Sequence, residues 1–252
     1  MAEKTEKRIS RKVDKAILQF GMLASGDTVI IGLSGGKDSL TLAYHLGRKA
    51  ASGRYPIDFN VEAVHVRTDF ATYPVGDDFL NIVRSWGVKV TVLDVAVENR
   101  LRDGQKLNCW WCSAQRRLEI AKYAHGVGAK KIALGHHLDD ILETFLMNMA
   151  AKGELSTMLP TMTYDNHPHS IIRPLAWVHE EEIRRFIRDL GLESFTCTCP
   201  WDTRSPRKTA RKAVEALTGG NSKAKDAMFR ALSNPVDRYL PKTVSEPPSH
   251  QH

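Results

Sequence analysis

Residues 34–39, Ser-Gly-Gly-Lys-Asp-Ser, are the stretch of this chain whose composition most directly indicates chemistry. Small residues allow backbone N–H groups to approach an anion, and a helix N-terminus adds favourable potential for phosphate. The stretch is not a Walker A loop, because three residues separate Gly32 from Gly36 and Lys37 is followed by Asp38. A carboxylate beside phosphates is suited to holding Mg²⁺. We therefore predict a phosphate-binding loop in which Lys37 neutralises charge and Asp38 holds the metal.

Residues 135–140, Gly-His-His-Leu-Asp-Asp, form a second group of side chains that could do chemistry. Two histidines and two carboxylates follow an apolar stretch and open a helix, which allows two interpretations. Acidic residues in a first helical turn can simply complement the helix dipole, or one carboxylate can lie beside bound phosphates or the group being activated. We predict a catalytic or Mg²⁺-associated role for Asp140. We expect His136 and His137 to shape the pocket rather than to transfer protons.

Four cysteines form two close pairs, Cys109/Cys112 and Cys197/Cys199. In a chain expected to be cytoplasmic, such spacing indicates metal or redox chemistry rather than structural disulfides. The first pair can bring two thiolates to one metal; a redox pair and half of a zinc site are the alternatives. Two cysteines two positions apart seldom both bind one metal, so one late cysteine joining the first pair would give three ligands. Zinc normally closes with four ligands, whereas a [4Fe–4S] cluster held by three cysteines leaves one iron open to sulfide.

Apolar periodicity places these groups on alternating strands and helices. Strands are predicted near 29–31, 59–66, 88–92, 131–134 and 171–172, and helices near 9–20, 38–49, 79–86, 113–126, 141–149 and 183–190. Residues 1–7 are expected to be frayed, and the Cys109-x-x-Cys112 segment is expected to be a loop. The alternation predicts an α/β fold with a doubly wound, mostly parallel sheet. In such sheets ligands bind beyond the carboxyl ends of the strands, where the first two groups lie.

The composition fits one substantial globular core and an anionic partner. The chain has 252 residues, of which 42% are hydrophobic and 26% charged, and its net charge is +7. No apolar run is long enough for a membrane span, and the charged N-terminus lacks the apolar core of a secretory signal. We therefore expect a cytoplasmic protein with no membrane partner. Basic residues concentrate at 1–16 and 204–230, which favours contact with nucleic acid over a merely solvated helix face.

The string SGGKDS resembles the pyrophosphate loop of the N-type ATP pyrophosphatases, which cleave ATP between its α and β phosphates. SGGKDS, Cys-x-x-Cys, GHHLDD and a late cysteine, in this order, resemble the tRNA 2-thiocytidine synthetase family over residues 9–212. The resemblance implies an adenine nucleotide alpha-hydrolase-like fold of pyrophosphate-loop type. It also implies ATP, Mg²⁺ and a [4Fe–4S] cluster as cofactors, tRNA thiolated at cytidine 32 as substrate, and a homodimer. Sulfur would come from a sulfur-donor protein or inorganic sulfide, because these motifs include no evident desulfurase domain.

The same resemblance implies the cluster ligands and leaves the late cysteine open. It places them at Cys109, Cys112 and one member of the late pair. We favour Cys199 over Cys197, because Cys-Pro-aromatic before a basic helix resembles the related 2-thiouridine enzymes. The family often has Cys-x-x-Cys where this chain has Cys-Thr-Cys. No cysteine precedes residue 109 or follows residue 199 to form the zinc pairs of the 2-thiouridine enzymes, which argues for the thiocytidine branch.

The predicted domains and site residues follow from these motifs. Residues 1–200 are expected to form the catalytic domain, 201–240 a basic helical extension that contacts tRNA, and 241–252 a disordered tail. The predicted catalytic residues are Lys37, Asp38, Arg116 and Asp140, with Asp38 as the Mg²⁺ ligand. The predicted nucleotide-binding residues are Leu33, Ser34, Gly35, Gly36, Lys37, Asp38, Ser39, His65, Gly135 and His136.

The expected reaction is adenylation of a pyrimidine O2 in tRNA and its replacement by sulfur. O2 would attack the α-phosphate of ATP, pyrophosphate would leave, and sulfide carried on the open iron would attack C2 with departure of AMP. Two alternatives stay open. A lysidine-type synthetase would use an amine as nucleophile and need no cluster, although the cysteine pairs argue against it. A nucleotide-binding metal or redox sensor would bind ATP without releasing pyrophosphate.

Overall fold

A computed structural model describes residues 2–69, 75–101, 104–163, 168–193 and 206–241. Within these ranges the chain forms a six-stranded sheet with helices on both faces. The strands are β1 (Asp27–Gly32), β2 (Phe59–Thr68), β3 (Lys89–Val95), β4 (Lys131–Ala133), β5 (Thr161–Thr163) and β6 (Ser170–Ile172). The α-helices are α1 (Ala2–Gln19), α2 (Lys37–Ala51), α3 (Asp77–Ser85), α4 (Cys109–Gly126), α5 (Leu138–Lys152), α6 (Glu180–Asp189), α7 (Pro206–Thr218) and α8 (Ser222–Ala231). Short 3-10 turns cover Glu98–Arg100 and Asp237–Tyr239.

The strand order is β3-β2-β1-β4-β6-β5, and each neighbouring pair is parallel except β5 with β6. β1 pairs with β2 on one side, where Val29 lies opposite Val61, and with β4 on the other, where it lies opposite Lys131. The strand order therefore reverses between β1 and β4. A doubly wound sheet binds ligands at such a reversal. The predicted fold class, a doubly wound and mostly parallel sheet, is confirmed.

The sheet separates two hydrophobic cores. Side chains alternate along β1, so Val29 and Ile31 belong to the larger core and Ile30 to the smaller one. Residues of α1, α2, α5 and α6 fill the larger core, while α4 covers the opposite face through Ile120 and Ala124. Burial on both faces explains why β1 reads as a continuous apolar run in the sequence. The fold thus holds the end of β1 rigidly between two helical layers.

The two C-terminal helices belong to the same core as the sheet. Ala210 and Val214 of α7 and Phe229 of α8 are buried in the larger core, and both helices pack against α5. The ring of Phe229 meets the ring of Trp177 edge-on, with 4.6 Å between centroids. The prediction that this basic region is helical is confirmed for the described residues.

Two predictions about secondary structure were wrong, and one strand was missed. α1 begins at Ala2, so residues 2–7 are helical rather than frayed, and the Tyr44 hydroxyl donates a 2.9 Å hydrogen bond to Glu6 from α2. α4 begins at Cys109, so the Cys-x-x-Cys segment is a first helical turn and not a loop. β5 was not predicted, because three residues are too few to show a periodic pattern.

Two other predictions fall on parts of the chain that the structure does not describe. The late cysteines at 197 and 199 lie outside the described residues, as does the predicted tail from residue 242 onward. Among the described residues, no helix combines the length and the apolar character that crossing a membrane requires.

Candidate active site

A cavity of about 320 Å³ lies at the carboxyl ends of β1 and β4, where the strand order reverses. The loop between β1 and α2 and the start of α5 form one side of it, and the second and third turns of α4 form another. Its described lining residues are Gly32, Leu33, Ser34, Asp38, Ser39, Val64, Val66, Ser113, Arg116, Arg117, Ile120, Leu134, Gly135, His136, Asp140 and Arg207. The two chemical groups that the sequence analysis singled out therefore share one pocket.

The loop at residues 34–36 is folded by its own small side chains. The Gly36 N–H donates to the Ser34 hydroxyl at 3.3 Å, and the Ser39 hydroxyl donates to the Gly36 carbonyl at 3.0 Å. Gly35 has a φ of +86°, a left-handed conformation that favours glycine. Gly36 is the N-cap residue of α2, and in the described structure no side-chain hydrogen bond caps this helix. The N–H groups of the first turn therefore keep the hydrogen-bonding capacity that binds phosphate at helix N-termini.

Gly135 explains how the two chemical groups come together. A Cβ atom at this position would lie 2.9 Å from the carbonyl carbon of Asp38 and 3.0 Å from the backbone nitrogen of Ser39. The first distance is shorter than a Cβ contact allows and the second is unusually tight, and both atoms belong to helical backbone that cannot easily move aside. Glycine at the end of β4 therefore lets the backbone pack directly on the first turn of α2.

Lys37 is engaged by carboxylates rather than directed to the cavity. Its Nζ lies 2.9 Å from each carboxylate oxygen of Asp38 and 3.1 Å from Oε1 of Glu180 at the start of α6. It is not among the described lining residues, and neither are Gly35, Gly36 and His65. The predicted role of Lys37 in neutralising phosphate stays a prediction, because it would require a change of ion-pair partner.

His65 supports the loop from beneath. Its Nδ1 donates a 2.8 Å hydrogen bond to the carbonyl of Leu33, which does line the cavity. Burial lowers the pKa of His65, with Arg67 and Arg116 acting in the same direction against the Leu33 hydrogen bond. A neutral imidazole therefore holds the Leu33 backbone in place.

Asp140 caps its own helix and also lines the cavity, so its predicted catalytic or Mg²⁺-associated role stays a prediction that the capping role does not exclude. Its Oδ2 accepts a 3.1 Å hydrogen bond from the His137 backbone N–H, which caps α5. The same side chain lines the cavity together with Asp38. Burial opposes its charge, but His137, Arg207 and the capping hydrogen bond outweigh burial and lower the pKa of Asp140. Two carboxylates of one cavity wall, Asp38 and Asp140, are the oxygen donors that Mg²⁺ prefers.

The two neighbouring histidines differ in their surroundings. The ring of His137 is buried, with Nε2 lying 3.4 Å from Oδ2 of Asp140 and 3.6 Å from Oδ1 of Asp38. His136 lines the cavity, and its Nδ1 accepts a 3.3 Å hydrogen bond from Nε of Arg173. Burial lowers the pKa of His136 to about 4 despite the nearby Asp140. A neutral His136 agrees with the expectation that this residue shapes the pocket.

Part of the C-terminal basic run turns inward onto α5, which the sequence analysis missed. Lys225 of α8 donates to Asp139 at 2.8 Å, and Nε of Arg211 on α7 donates to Glu143 at 2.7 Å. Nη1 of Arg207 lies 3.6 Å from Oδ1 of Asp140. The sequence offered a signal for these contacts, because i, i+4 spacing places Arg207 and Arg211 on one face of α7. Their partners were available as the acids at positions 139, 140 and 143.

The Cys-x-x-Cys segment lies at the N-terminus of α4, on the helix whose following turns line the cavity. Asn108 caps this helix, with its Oδ1 accepting a 2.9 Å hydrogen bond from the Trp111 N–H. Cys109 is exposed and Cys112 is buried, and spacing of three residues places both on one side of the first turn. A helix N-terminus stabilises thiolates. In the described part of the chain no three Cys, His, Asp or Glu side chains form a metal site, so a metal held by this pair would need further ligands from outside the described residues.

The cavity gathers most of the predicted nucleotide-binding and catalytic residues. Those lining it are Leu33, Ser34, Asp38, Ser39, Arg116, Gly135, His136 and Asp140. Sequence reasoning missed Ser113, Arg117 and Arg207, and it missed the apolar patch of Val64, Val66, Ile120 and Leu134. Ser113 could have been found by helical spacing, since it lies four positions after Cys109 and three before the predicted Arg116.

Comparison with known proteins agrees with this geometry. The family model described as the PP-loop domain matches residues 3–217. A tRNA-cytidine(32) 2-sulfurtransferase of Syntrophotalea carbinolica is 33% identical over 240 residues, covering 93% of this chain and 91% of the relative. The protein of the same name from Pelobacter propionicus is 34% identical over 241 residues, covering 93% of this chain and 88% of the relative.

Solved structures share the fold at lower identity. The U34-tRNA thiolase NcsA of Methanococcus maripaludis, solved with its [4Fe–4S] cluster, matches with a TM-score of 0.72 and 22% identity, covering 92% of this chain and 79% of NcsA. The NMN synthetase of Francisella tularensis matches with a TM-score of 0.52 and 12% identity, covering 98% of this chain and 99% of that enzyme. The fold, the phosphate loop and the extent of these matches lead to one conclusion: the chain belongs to the PP-loop family and, within it, to the tRNA-cytidine(32) 2-sulfurtransferases.

Proposed function

We propose that this chain is an ATP-dependent tRNA sulfurtransferase that adenylates O2 of cytidine 32 and replaces that oxygen with sulfur. One observation carries the proposal. A single cavity joins a phosphate loop, two carboxylates suited to Mg²⁺ (Asp38 and Asp140), and the helix that begins at Cys109. Relatives named for this activity match along nearly their whole length.

In this proposal the nucleotide occupies the cavity with its phosphates at the loop. The N–H groups at the start of α2 and the hydroxyls of Ser34 and Ser39 would hold phosphate oxygens. A helix N-terminus suits this role, because its free N–H groups and its dipole attract anions. Asp38 and Asp140 would hold Mg²⁺. The apolar patch formed by Val64, Val66, Ile120 and Leu134 is suited to the adenine ring. The predicted roles of these residues thereby become specific and testable.

The proposed reaction has two steps, adenylation of the base and replacement of its oxygen by sulfur. O2 of cytidine attacks the α-phosphorus of ATP, the bond from that phosphorus to the bridging oxygen breaks, and pyrophosphate leaves. Hydrosulfide then attacks C2, the C2–O2 bond breaks, and AMP departs with the former O2. Arg116 and Arg117 line the cavity and would stabilise the charge that develops on the phosphate oxygens. The remaining contribution of the protein is to hold both reactants in line.

We also propose that Cys109, Cys112 and one late cysteine hold a [4Fe–4S] cluster. Two thiols on one side of a helix N-terminus fit such a group, because the helix end favours thiolates and the pair leaves room for outside ligands. Cys199 is the third ligand that we favour, with Cys197 as the alternative. Bound by three cysteines, the cluster would supply an iron that can hold sulfide near the base.

The partners in this proposal are tRNA and a source of sulfur. Exposed Lys212 on α7 and exposed Lys223 and Arg230 on α8 are candidates for contact with tRNA phosphates. These residues belong to the basic region predicted as residues 201–240. We propose that this region contacts tRNA beside the catalytic domain of residues 1–200. Sulfur would arrive from a sulfur-donor protein or inorganic sulfide, and the implied homodimer stays a prediction.

Pyrophosphate release tests the activation step separately from sulfur transfer. Purified chain would be incubated with ATP, Mg²⁺ and a tRNA transcript carrying cytidine 32, with a transcript carrying adenosine 32 as control. We expect pyrophosphate release with cytidine and background release with adenosine, which has no O2 to adenylate. Tight ATP binding with no pyrophosphate release from either transcript would contradict the proposal and favour a nucleotide sensor.

A further inference from the structure

Arg207 is a cation that lines the cavity although it lies on α7, far along the chain from the other lining residues. It is the second residue of α7, and its side chain reaches the cavity that β1, β4 and α4 form. Its Nη1 lies 3.6 Å from Oδ1 of Asp140, and its Nε lies 3.5 Å from Oε2 of Glu143. The side chain is 41% exposed, so it lies at the opening of the cavity rather than beneath it.

The packing of α7 fixes where Arg207 begins. Arg211, one turn further on, donates a 2.7 Å hydrogen bond to Glu143, whose side chain is 1% exposed. Ala210 and Val214, three and seven positions after Arg207, lie on the same face of α7 and are buried in the larger core. A helix held by a buried charged pair and by core contacts has little freedom to slide. Arg207 is therefore presented to the cavity with its backbone already in place.

The charges of the cavity favour an anion beside Arg207 once a metal is bound. Lys37, the cation of the phosphate loop, is held by Asp38 and Glu180. Arg207 now faces Asp140, which is also a proposed Mg²⁺ ligand. A divalent cation bound to Asp140 would neutralise that carboxylate and repel the guanidinium. Glu143 already pairs with Arg211 at 2.7 Å, so the triphosphate of the nucleotide in the same cavity is the ligand that would replace Asp140.

We infer that Arg207 binds the phosphate chain of ATP, exchanging the Asp140 carboxylate for phosphate when Mg²⁺–ATP enters. The inference rests on the proposed ATP site and adds a residue that the phosphate-loop motif does not contain. A guanidinium recognises phosphate through paired N–H donors, which a lysine cannot reproduce. α7 is therefore part of the nucleotide site and not solely a surface for tRNA.

Equilibrium binding of Mg²⁺–ATP and of adenosine, measured by calorimetry, tests this inference. Arg207→Gln should weaken ATP binding about tenfold, the effect of losing one charge-assisted contact, and leave adenosine binding unchanged. Arg207→Lys should recover part of the ATP affinity. One control variant completes the set. Lys208→Gln removes an exposed charge from the same helix at a side chain outside the described lining of the cavity.

The outcomes separate this inference from the proposed function. Unchanged ATP affinity in Arg207→Gln, in a chain whose wild type binds ATP, would overturn the inference and leave the proposed function standing. Equal losses of ATP and adenosine affinity, or an equal loss of ATP affinity in Lys208→Gln, would also overturn it, because they indicate a general disturbance of α7 or an effect of net charge. A wild-type chain that does not bind ATP would overturn both.

Discussion

At the scale of single residues, Asp140 shows how one carboxylate can serve both the fold and the chemistry. Its Oδ2 caps α5 through the His137 N–H while the side chain lines the cavity. The lowered pKa of Asp140, which results from His137, Arg207 and the cap outweighing burial, keeps the group ionised at neutral pH. The helix start therefore delivers a charged carboxylate, the proposed Mg²⁺ ligand, to the switch point.

Replacing Asp140 by Asn separates these two roles. Asparagine keeps an oxygen that can accept the His137 hydrogen bond, but it removes the charge. We expect tRNA-dependent pyrophosphate release to fall about 10²-fold or more, the usual cost of losing one preorganised charge. Pyrophosphate formation would be measured beside a thermal melt that should change by about 4 °C or less.

Asp139→Asn is the matched control for this experiment. Asp139 is a buried neighbouring acid bonded to Lys225 and to the Glu180 N–H, but it is not a described lining residue of the cavity. Asp139→Asn should lower the melting temperature more than Asp140→Asn does. It should lower the rate of pyrophosphate release less than Asp140→Asn does. Equal losses of rate in the two variants would contradict a metal-binding role for Asp140.

A buried histidine predicts how stability depends on pH. His45 of α2 lies in the larger core beside Tyr44 and Phe186, and in the described structure its Nε2 has no hydrogen-bond partner. Burial lowers the pKa of His45 from 6.5 to about 3. Between these values the unfolded chain binds a proton that the folded chain does not. Stability therefore falls as pH decreases from 6.5, and this residue alone accounts for about 2 kcal/mol at pH 5.

Urea unfolding at pH 7 and pH 5 measures this effect. His45→Leu should reduce the loss of unfolding free energy between the two pH values by about 2 kcal/mol. Phe186→Leu disturbs the same part of the core and keeps the imidazole, so it should lower stability similarly at both pH values. The prediction fails if His45→Leu shows the same loss between pH 7 and pH 5 as the wild type.

At the scale of secondary-structure elements, the start of α4 decides where the thiols lie. Asn108 caps this helix by accepting a hydrogen bond from the Trp111 N–H, so Cys109 and Cys112 share the first turn. A first turn without its cap frays readily, because four N–H groups at a helix start have no partner within the helix. The geometry of the proposed cluster ligands thus depends on one amide side chain.

Asn108→Ala should weaken the retention of iron. Loss of a cap costs about 1 kcal/mol, and here the cost falls on the turn that carries both thiols. The measurement is iron content per chain after anaerobic reconstitution, with Asn108→Asp as the variant that restores the cap. Asn221→Ala is the control, because Asn221 caps α8 in the same way, accepting from the Lys223 and Ala224 N–H groups. It should cost similar stability and leave iron content unchanged, and equal iron loss in both variants would contradict the account.

The elements also show which parts of the fold a sequence can predict. β1 was predicted within a few residues from its continuous apolar run, and β2, β3 and α6 from apolar positions that repeat with a clear period. β5 has three residues and no period, and it exists because it pairs with β6. The start of α1 and the start of α4 depend on side chains outside the periodic pattern, Tyr44 in one case and Asn108 in the other.

At the scale of the whole molecule, charge is arranged in a way that composition could not reveal. The net charge of +7 and the basic run at 204–230 suggested a surface for nucleic acid. In the fold, part of that run instead forms salt bridges with buried acids: Arg211 pairs with Glu143, and Lys225 pairs with Asp139. Motifs located the phosphate loop and the carboxylates, because local sequence determines them. The contribution of α7 to the cavity arises from long-range packing. The spacing of Arg207 and Arg211 places them on one helix face, but it does not indicate which acids that face meets.

Nucleoside mass spectrometry after an anaerobic reaction tests the central claim most directly. Iron-loaded chain would react with ATP, Mg²⁺, sulfide and a tRNA carrying cytidine 32, and the digested product would be analysed for 2-thiocytidine and its position. We expect 2-thiocytidine at position 32 with the wild type and none with Cys109→Ala, which should still bind ATP. Absence of 2-thiocytidine from the iron-loaded wild type, or an unchanged yield from Cys109→Ala, would contradict the account.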